Sequence, residues 1–349
     1  MRIAAVATAL PPNRYDQRTL TRALLRHMGR GDGAAQRRLS RLHERVSVGA
    51  RHLALRLEEY ERLRSFRQAN DAWIRVGTEI GSRAVREALE RSGVPPERLG
   101  AFFSVSVTGI ATPSLEARVM NALGLPSSLK RVPVFGLGCV AGAAGLARAA
   151  DYVRAYPDEA ALLLSVELCS LTLQRRDLSV ANLIASGLFG DGAAAAVVAG
   201  AELEARGPRV VATRSVFYPD TERVMGWDIG GDGFRVVLSP EVPEMVRRHL
   251  RRDVDAFLAE HGLDRAEISR WICHPGGPKV IEAIAEALEL PAAALEPARR
   301  SLREFGNLSS ASVLFVLAEA LENAPPPGSP AMLLAMGPGF CSELVLLEW

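Results

Sequence analysis

The chain has 349 residues, of which 48% are apolar and 23% charged, with a net charge of +2. This composition reads as a soluble globular fold large enough for a sizeable core or two fused halves, and it argues against whole-surface nucleic-acid binding. Its four cysteines, Cys139, Cys169, Cys273 and Cys341, include no Cys-x-x-Cys pair, which is poor material for a disulfide scaffold or a structural zinc and fits a reducing, cytoplasmic compartment. No apolar run approaches the roughly 18 residues of a membrane span.

Met1–Leu10 ends in an Ala-x-Ala pattern but carries a single arginine and runs into Pro11-Pro12, so it reads as a first core strand rather than a signal peptide. Residues 16–28 read as a helix, the Arg-rich stretch 33–68 as mostly helical, and 70–92 as an amphipathic helix closed by Gly93 and Pro95-Pro96. Buried strands fit 101–107 and 160–166, and helices fit 114–123 and 140–155. A small-residue strand, 193–199, follows the turn Phe189-Gly190-Asp191-Gly192. The polar stretch 201–208 is the candidate midpoint, dividing a half at 1–202 from a half at 203–349. Strands at 209–217 and 269–273 follow, with helices at 241–260, 278–288 and 309–322, a surface loop at Pro325-Pro326-Pro327-Gly328, and last strands at 330–336 and 342–348. Such alternation implies α/β sheets covered by helices. Each half contains a Gly-containing loop that opens a small-residue helix, 138–153 in the first and 306–321 in the second, so an active site is expected between them.

Three of these junctions carry chemistry. Cys139 sits among small residues at a helix start, where unpaired N–H groups and the helix dipole favour a thiolate. His274 lies in Trp271-Ile272-Cys273-His274-Pro275-Gly276-Gly277-Pro278, and Asn307 in Phe305-Gly306-Asn307-Leu308-Ser309-Ser310. A thiolate accepts an acyl group from a thioester, an imidazole stabilises it, and an imidazole and an amide N–H together hold one oxyanion. No metal or redox cofactor is called for. Each residue also has a plainer reading: a packed cysteine, a strand-end histidine, an asparagine N-cap. Their joint occurrence at strand-to-helix junctions favours acyl transfer.

The chain resembles the type III polyketide synthases, the chalcone-synthase-like branch of the thiolase superfamily. The resemblance rests on Gly138-Cys139-Val140-Ala141-Gly142, Gly187–Ala193, Trp271–Pro278, Gly306–Ala311 and Gly337-Pro338-Gly339. It implies an αβαβα layered fold, a homodimer, and iterative decarboxylative Claisen condensation of acyl-CoA and malonyl-CoA. Cys139 would hold the starter and the growing chain, and His274 and Asn307 would bind the thioester carbonyl and promote decarboxylation. Phe189 matches one gatekeeper and Phe234 the second, with a core aromatic as the alternative for each. Cys169 and Thr172 fall where the family lines its elongation cavity, with Ser309 beside them; Cys169 is equally read as packing. Arg45 and Arg51 lie near the family's basic CoA-contacting segment and Lys279 follows the His274 loop, although an Arg-rich helix is ordinarily a solvated face.

The segment Val224-Met225-Gly226-Trp227-Asp228-Ile229, which adds Met225 to the candidate substrate-binding residues, looks more like bacterial alkylpyrone-forming members than the plant enzymes. That points to a fatty-acyl starter and closure to an alkylpyrone or alkylresorcinol. The alternatives are a tetrahydroxynaphthalene-type synthase using malonyl-CoA only, a carrier-protein-dependent ketosynthase and, from another class, a cysteine hydrolase.

Overall fold

Strand residues of alternating orientation, set beside helices rich in alanine and glycine, build this fold. The computed structural model describes residues 1–27 and 33–349. Its first part runs β1 (Arg2–Ala9), β2 (Asn13–Asp16), α1 (Gln17–His27), α2 (Gly33–Arg45), β3 (Ala50–Leu53), α3 (Leu57–Tyr60), α4 (Phe66–Ser92), β4 (Leu99–Val105), α5 (Leu115–Leu123), β5 (Lys130–Val134), α6 (Ala141–Ala155), β6 (Ala160–Leu168), α7 (Val180–Leu188) and β7 (Asp191–Ala199). The second runs β8 (Arg209–Phe217), β9 (Met225–Gly230), β10 (Gly233–Leu238), α8 (Val242–Ala259), β11 (Arg270–Cys273), α9 (Pro278–Leu288), α10 (Glu296–Phe305), α11 (Ser312–Glu322), β12 (Pro330–Gly337) and β13 (Cys341–Glu348).

Among the described residues the long strands form one mixed sheet in the order β11-β12-β13-β8-β1-β7-β6-β4-β5, its two parts meeting where Arg2 pairs with Arg209. The period of two separates the faces. In β6, Ala161 and Leu163 join the central core, while Leu162 and Leu164 join the outer one beside α4. In β12, Ala331, Leu333 and Ala335 face the same central core, and Met332 and Leu334 face the outer core under α8 and α9. The helices α6 and α11 fill the middle, touching strands of both parts. The layers are therefore α4–α5, strands, α6–α11, strands and α8–α10, the expected αβαβα arrangement. Each fully buried leucine contributes about 1.5–3 kcal/mol.

The stretch 33–68 is mostly helical, as expected, but in three pieces: α2, α3 and the start of α4. It breaks after α2, turns through Ser47 at φ 57° and gives β3, which pairs with β2. Val46 and Val48 bury in the outer core of the second half, and the Gly49 N–H donates to the Arg303 carbonyl at 2.8 Å. These long-range contacts outweigh the helical preference of the arginines. The hairpin β9–β10 and the edge strand β5 carry too little apolar alternation to be read from sequence.

The middle layer depends on glycine. A Cβ at Gly142 would lie 2.1 Å from the Ser310 carbonyl oxygen and 2.8 Å from Val313. We expect Gly142→Ala to lower unfolding free energy by at least about 1–3 kcal/mol, the cost of overpacking a core, as measured by urea denaturation; a wild-type midpoint would show that the approach is not rigid.

Candidate active site

The loop after β5 turns through Gly138 at φ 56°, where a Cβ would sit 2.7 Å from the ring of Pro338. The Gly337-Pro338-Gly339 turn between β12 and β13 thus packs directly on the backbone that presents Cys139. Cys139 occupies a single 3-10 turn, Gly138–Val140, that leads straight into α6. Its thiol is buried and donates to the Ser309 hydroxyl at 3.7 Å. Burial pushes its pKa up to about 12, against the pull of the Ser309 hydroxyl; the Glu167 charge adds to the rise and the Asn307 amide opposes it.

Asn307 is fixed from every side. Its backbone N–H donates to the Leu188 carbonyl at 2.9 Å, and its carbonyl accepts from the Gly190 N–H at 3.0 Å. Its side-chain Oδ1 accepts from the Ser309 N–H at 2.8 Å, and Nδ2 donates to the Gly276 carbonyl at 3.0 Å. That leaves the second amide hydrogen on the side of the thiol. Ser309, at φ 49°, holds a left-handed conformation in this turn.

His274 directly follows β11, its N–H donating to the Leu334 carbonyl at 2.9 Å, and its carbonyl accepts from the Gly276 N–H at 3.0 Å. Gly276 therefore ties His274 to Asn307. The ring is buried, and burial drives its pKa down to about 4. Neither ring nitrogen has a hydrogen-bond partner among the described residues. No hydrogen bond joins the ring to the thiol, and burial favours the neutral form of both groups.

Phe189 lies beside Asn307 through a bridge between their backbones. With Cys169 and Thr172 it lines a cavity of about 170 Å³, walled also by Leu20, Leu183 and Trp227. The cavity stops at Cys169 and Phe189; the three triad residues do not line it. Cys169 is buried in a 3-10 turn, Cys169–Thr172, and burial raises its pKa, with Glu167, Asp191 and Cys139 adding to the rise.

Several expected positions differ. Phe234 does not reach the cavity: it is buried edge-on to Phe66, with ring centroids 5.4 Å apart, and packs on Trp227, which does line it. It acts as a core aromatic. Met225 pairs with Leu238 at the start of β9 and packs against the second half's outer core. Arg51 is no surface contact for CoA. It is 4% exposed, donates to the Phe189 carbonyl at 2.7 Å and lies near the Asp191 carboxylate. A guanidinium so enclosed holds the backbone at Phe189 rather than an incoming phosphate. Arg45 on α2 and Lys279 on α9 are exposed, and neither lines the cavity.

The N-terminal domain of the chalcone and stilbene synthases matches residues 1–202, and their C-terminal domain matches 209–348. A 1,3,6,8-tetrahydroxynaphthalene synthase of Streptomyces peucetius subsp. caesius is 53% identical over 99% of this chain and 93% of its own length. A putative chalcone synthase of Bacillus subtilis (strain 168) is 38% identical over 99% of this chain and 98% of its own. The crystal structure of the 1,3,6,8-tetrahydroxynaphthalene synthase from Streptomyces coelicolor A3(2), a bacterial type III polyketide synthase, superposes with a TM-score of 0.92 at 30% identity, covering 100% of this chain and 99% of that one.

One buried group beside the thiol was missed in the sequence, although a lone carboxylate inside the apolar strand β6 was the available signal. Glu167 is fully buried. Its Oε2 accepts from the Thr108 hydroxyl at 2.8 Å, the Val107 N–H at 3.2 Å and the Ser106 hydroxyl at 3.3 Å, and its Oε1 accepts from Ser310. Burial nonetheless pushes its pKa from 4.5 to about 7. The folded state thus binds this proton more tightly than the unfolded chain. Its contribution to stability is fully present below pH ~4.5 and lost as pH rises through ~7. Glu167→Gln should therefore flatten the pH 5-to-8 decline in unfolding free energy by on the order of 3 kcal/mol. Urea titrations of both proteins across that range check this; equal slopes would contradict it.

Proposed function

This chain belongs to the chalcone and stilbene synthase family, the type III polyketide synthases, which build products by iterative Claisen condensation, and within that family we propose that it takes malonyl-CoA as both starter and extender and closes the chain to 1,3,6,8-tetrahydroxynaphthalene. The observation that carries the chemistry is the buried His274 ring with both nitrogens unspent, tied through Gly276 to an Asn307 amide that flanks the Cys139 thiol. A buried polar group without a partner asks for one, and a thioester carbonyl supplies it.

In this reading a neutral His274 takes the Cys139 proton as the sulfur attacks the thioester carbonyl, then passes it to the departing CoA thiolate. The next malonyl thioester places its carbonyl oxygen against the His274 N–H and the free Asn307 N–H. Loss of carbon dioxide leaves an enolate whose oxygen those two donors hold. Its carbon attacks the acyl-Cys139 carbonyl, which lengthens the chain by two carbons, leaves it on CoA and releases Cys139 as a thiolate that takes the chain back with loss of CoA thiolate. Phe189, pinned by Arg51 and by its bridge to Asn307, borders the space into which the chain grows.

Two observations favour malonyl-CoA alone over the fatty-acyl starter of the sequence reading. The relative that is 53% identical is named a 1,3,6,8-tetrahydroxynaphthalene synthase. The cavity wall also carries Tyr60, Ser170, Thr172 and Asn182 among its apolar residues, which can partner the carbonyls of a poly-β-keto chain. The enzyme works in the reducing cytoplasm as a homodimer in this reading, with Arg45 and Lys279 available to CoA phosphates at the surface. Among the described residues no helix is long and apolar enough to cross a membrane.

Product mass spectrometry with malonyl-CoA as sole substrate is expected to show carbon dioxide, free CoA and the naphthalene. A strict need for a fatty acyl-CoA, or for carrier-protein-bound substrates, would overturn the proposal. Cys139→Ala should abolish the product while leaving malonyl-CoA decarboxylation measurable, because the two donors remain. His274→Ala should lower decarboxylation about 10²–10³-fold, the loss typical of one oxyanion donor; wild-type decarboxylation in that variant would sink the role given to the ring.

A further inference from the structure

The wall of the cavity contains a line of hydroxyls that ends on a sealed carboxylate. Tyr60 of α3 and Ser170 of the 3-10 turn after β6 both line the cavity; Asp191 at the start of β7 is fully buried behind them. The directions of the hydrogens are fixed by the donors around them. The Leu55 N–H donates to the Tyr60 oxygen at 3.3 Å. The Ser170 hydroxyl donates to Asp191 Oδ2, so the Ser170 oxygen is left to accept the Tyr60 O–H. Asp191 further accepts from the Ser170 N–H at 2.8 Å and the Ala54 N–H at 2.6 Å. The bonds therefore run one way, from Tyr60 to Ser170 to Asp191, and one lone pair of the Tyr60 oxygen is left unused by these partners.

We propose that Tyr60, Ser170 and Asp191 form a proton relay that serves carbon–carbon ring closure of the poly-β-keto chain in this cavity. The inference rests on the reading of the cavity as the elongation site. Tyr60 is the group that touches the chain; Ser170 and Asp191 act through it. A methylene between two carbonyls gives its proton to the Tyr60 oxygen as the Tyr60 proton moves to Ser170 and the Ser170 proton to Asp191. The carbanion so formed attacks a distant carbonyl of the same chain, making one carbon–carbon bond and an alkoxide. The relay then runs backward, the proton returns to that alkoxide, and Asp191 is a carboxylate again. The resulting β-hydroxy ketone loses water to become unsaturated. No oxidant or reductant is consumed. Burial raises the Asp191 pKa to about 6, against the pull of Ser170, the Ala54 N–H and the Arg51 charge, which leaves it ionised at neutral pH yet a better base than an exposed carboxylate. Lactone closure, by contrast, needs only an enol oxygen and no such base.

The test is the ratio of carbocyclic to lactone product in Tyr60→Phe, Ser170→Ala and Ser170→Thr, measured by mass spectrometry with melting temperature recorded for each. Tyr60→Phe and Ser170→Ala should lower the ratio about a hundredfold, at the lower end of general acid–base contributions, and Ser170→Thr, which keeps the hydroxyl, should restore it. An unchanged ratio in folded Tyr60→Phe overturns the relay, as does a loss of total product at constant ratio with a lowered melting temperature, which marks a structural role. If the wild type needs another starter, the substrate reading fails while the relay is judged on that starter's own carbocycle and lactone. A wild type that releases lactones alone overturns the relay.

Discussion

The backbone of α6 approaches the Ser310 carbonyl more closely than any side chain permits, and the site is assembled around that approach. Gly142 makes it possible on one side of Cys139 and Gly138, against Pro338, on the other. Between them the thiol is brought against the Asn307–Ser310 turn, which enters from a different part of the chain. The close-packed interior makes the alternatives costly, because a single methyl in this gap must displace a carbonyl. The positive φ of Ser309 belongs to the same constraint: it turns the backbone so that the Ser309 N–H reaches Asn307 Oδ1 and orients the amide. A turn that is strained for a β-carbon residue is kept where orientation of an amide is the gain.

The same enclosure sets the electrostatics. Burial favours the neutral form of every group it covers, so Cys139 rests as a thiol and His274 as an uncharged imidazole. The pair therefore carries no standing charge that must be solvated before substrate arrives. The ring can donate through one nitrogen and accept through the other, which a doubly protonated ring cannot do. A site of neutral groups with unspent hydrogen-bonding capacity is matched to a neutral carbonyl that acquires negative charge only during reaction, which is the condition for stabilising the transition state above the ground state.

How much of this was legible follows from the range of the interactions involved. Cys139 and His274 announce themselves locally, because each stands at a strand-to-helix junction with its glycines beside it; Asn307 was expected at such a junction too, but it lies between α10 and α11, beside Gly306. The long strands and α4, α6, α8 and α9 follow from their own apolar periods. The break in 33–68 does not: it comes from Val46, Val48 and Gly49 docking on residues near 300, which no local window contains. Arg51 misled for the same reason. In sequence it is one arginine among many on a basic stretch, and only the fold shows it turned inward onto Phe189. Phe234 was legible as an aromatic but not as one screened from the cavity by Trp227. Glu167, Tyr60 and Ser170 were visible only as a stray carboxylate and two hydroxyls until three segments closed around them.

The two buried carboxylates explain how a neutral site can still manage protons. In the antiparallel pair of β6 and β7, Leu168 stands opposite Asp191 and Glu167 opposite Gly192, so both acids sit at the same end of the sheet one step apart. Their donors face different ways. Glu167 is taken up by the hydroxyls and N–H of 106–108 and by Ser310, close to the thiol, whereas Asp191 is taken up by Ser170 and the Ala54 N–H, behind the cavity wall. Each is raised by burial to near neutrality and held there by those donors. Decarboxylative condensation creates its own carbanion without taking a proton from carbon, so a base for carbon is useful elsewhere, where the finished chain must lose a proton to close. Glu167 is enclosed by its four donors, whereas Asp191 connects to the cavity wall through Ser170 and Tyr60, which in the proposed relay makes Asp191 the carboxylate that serves closure.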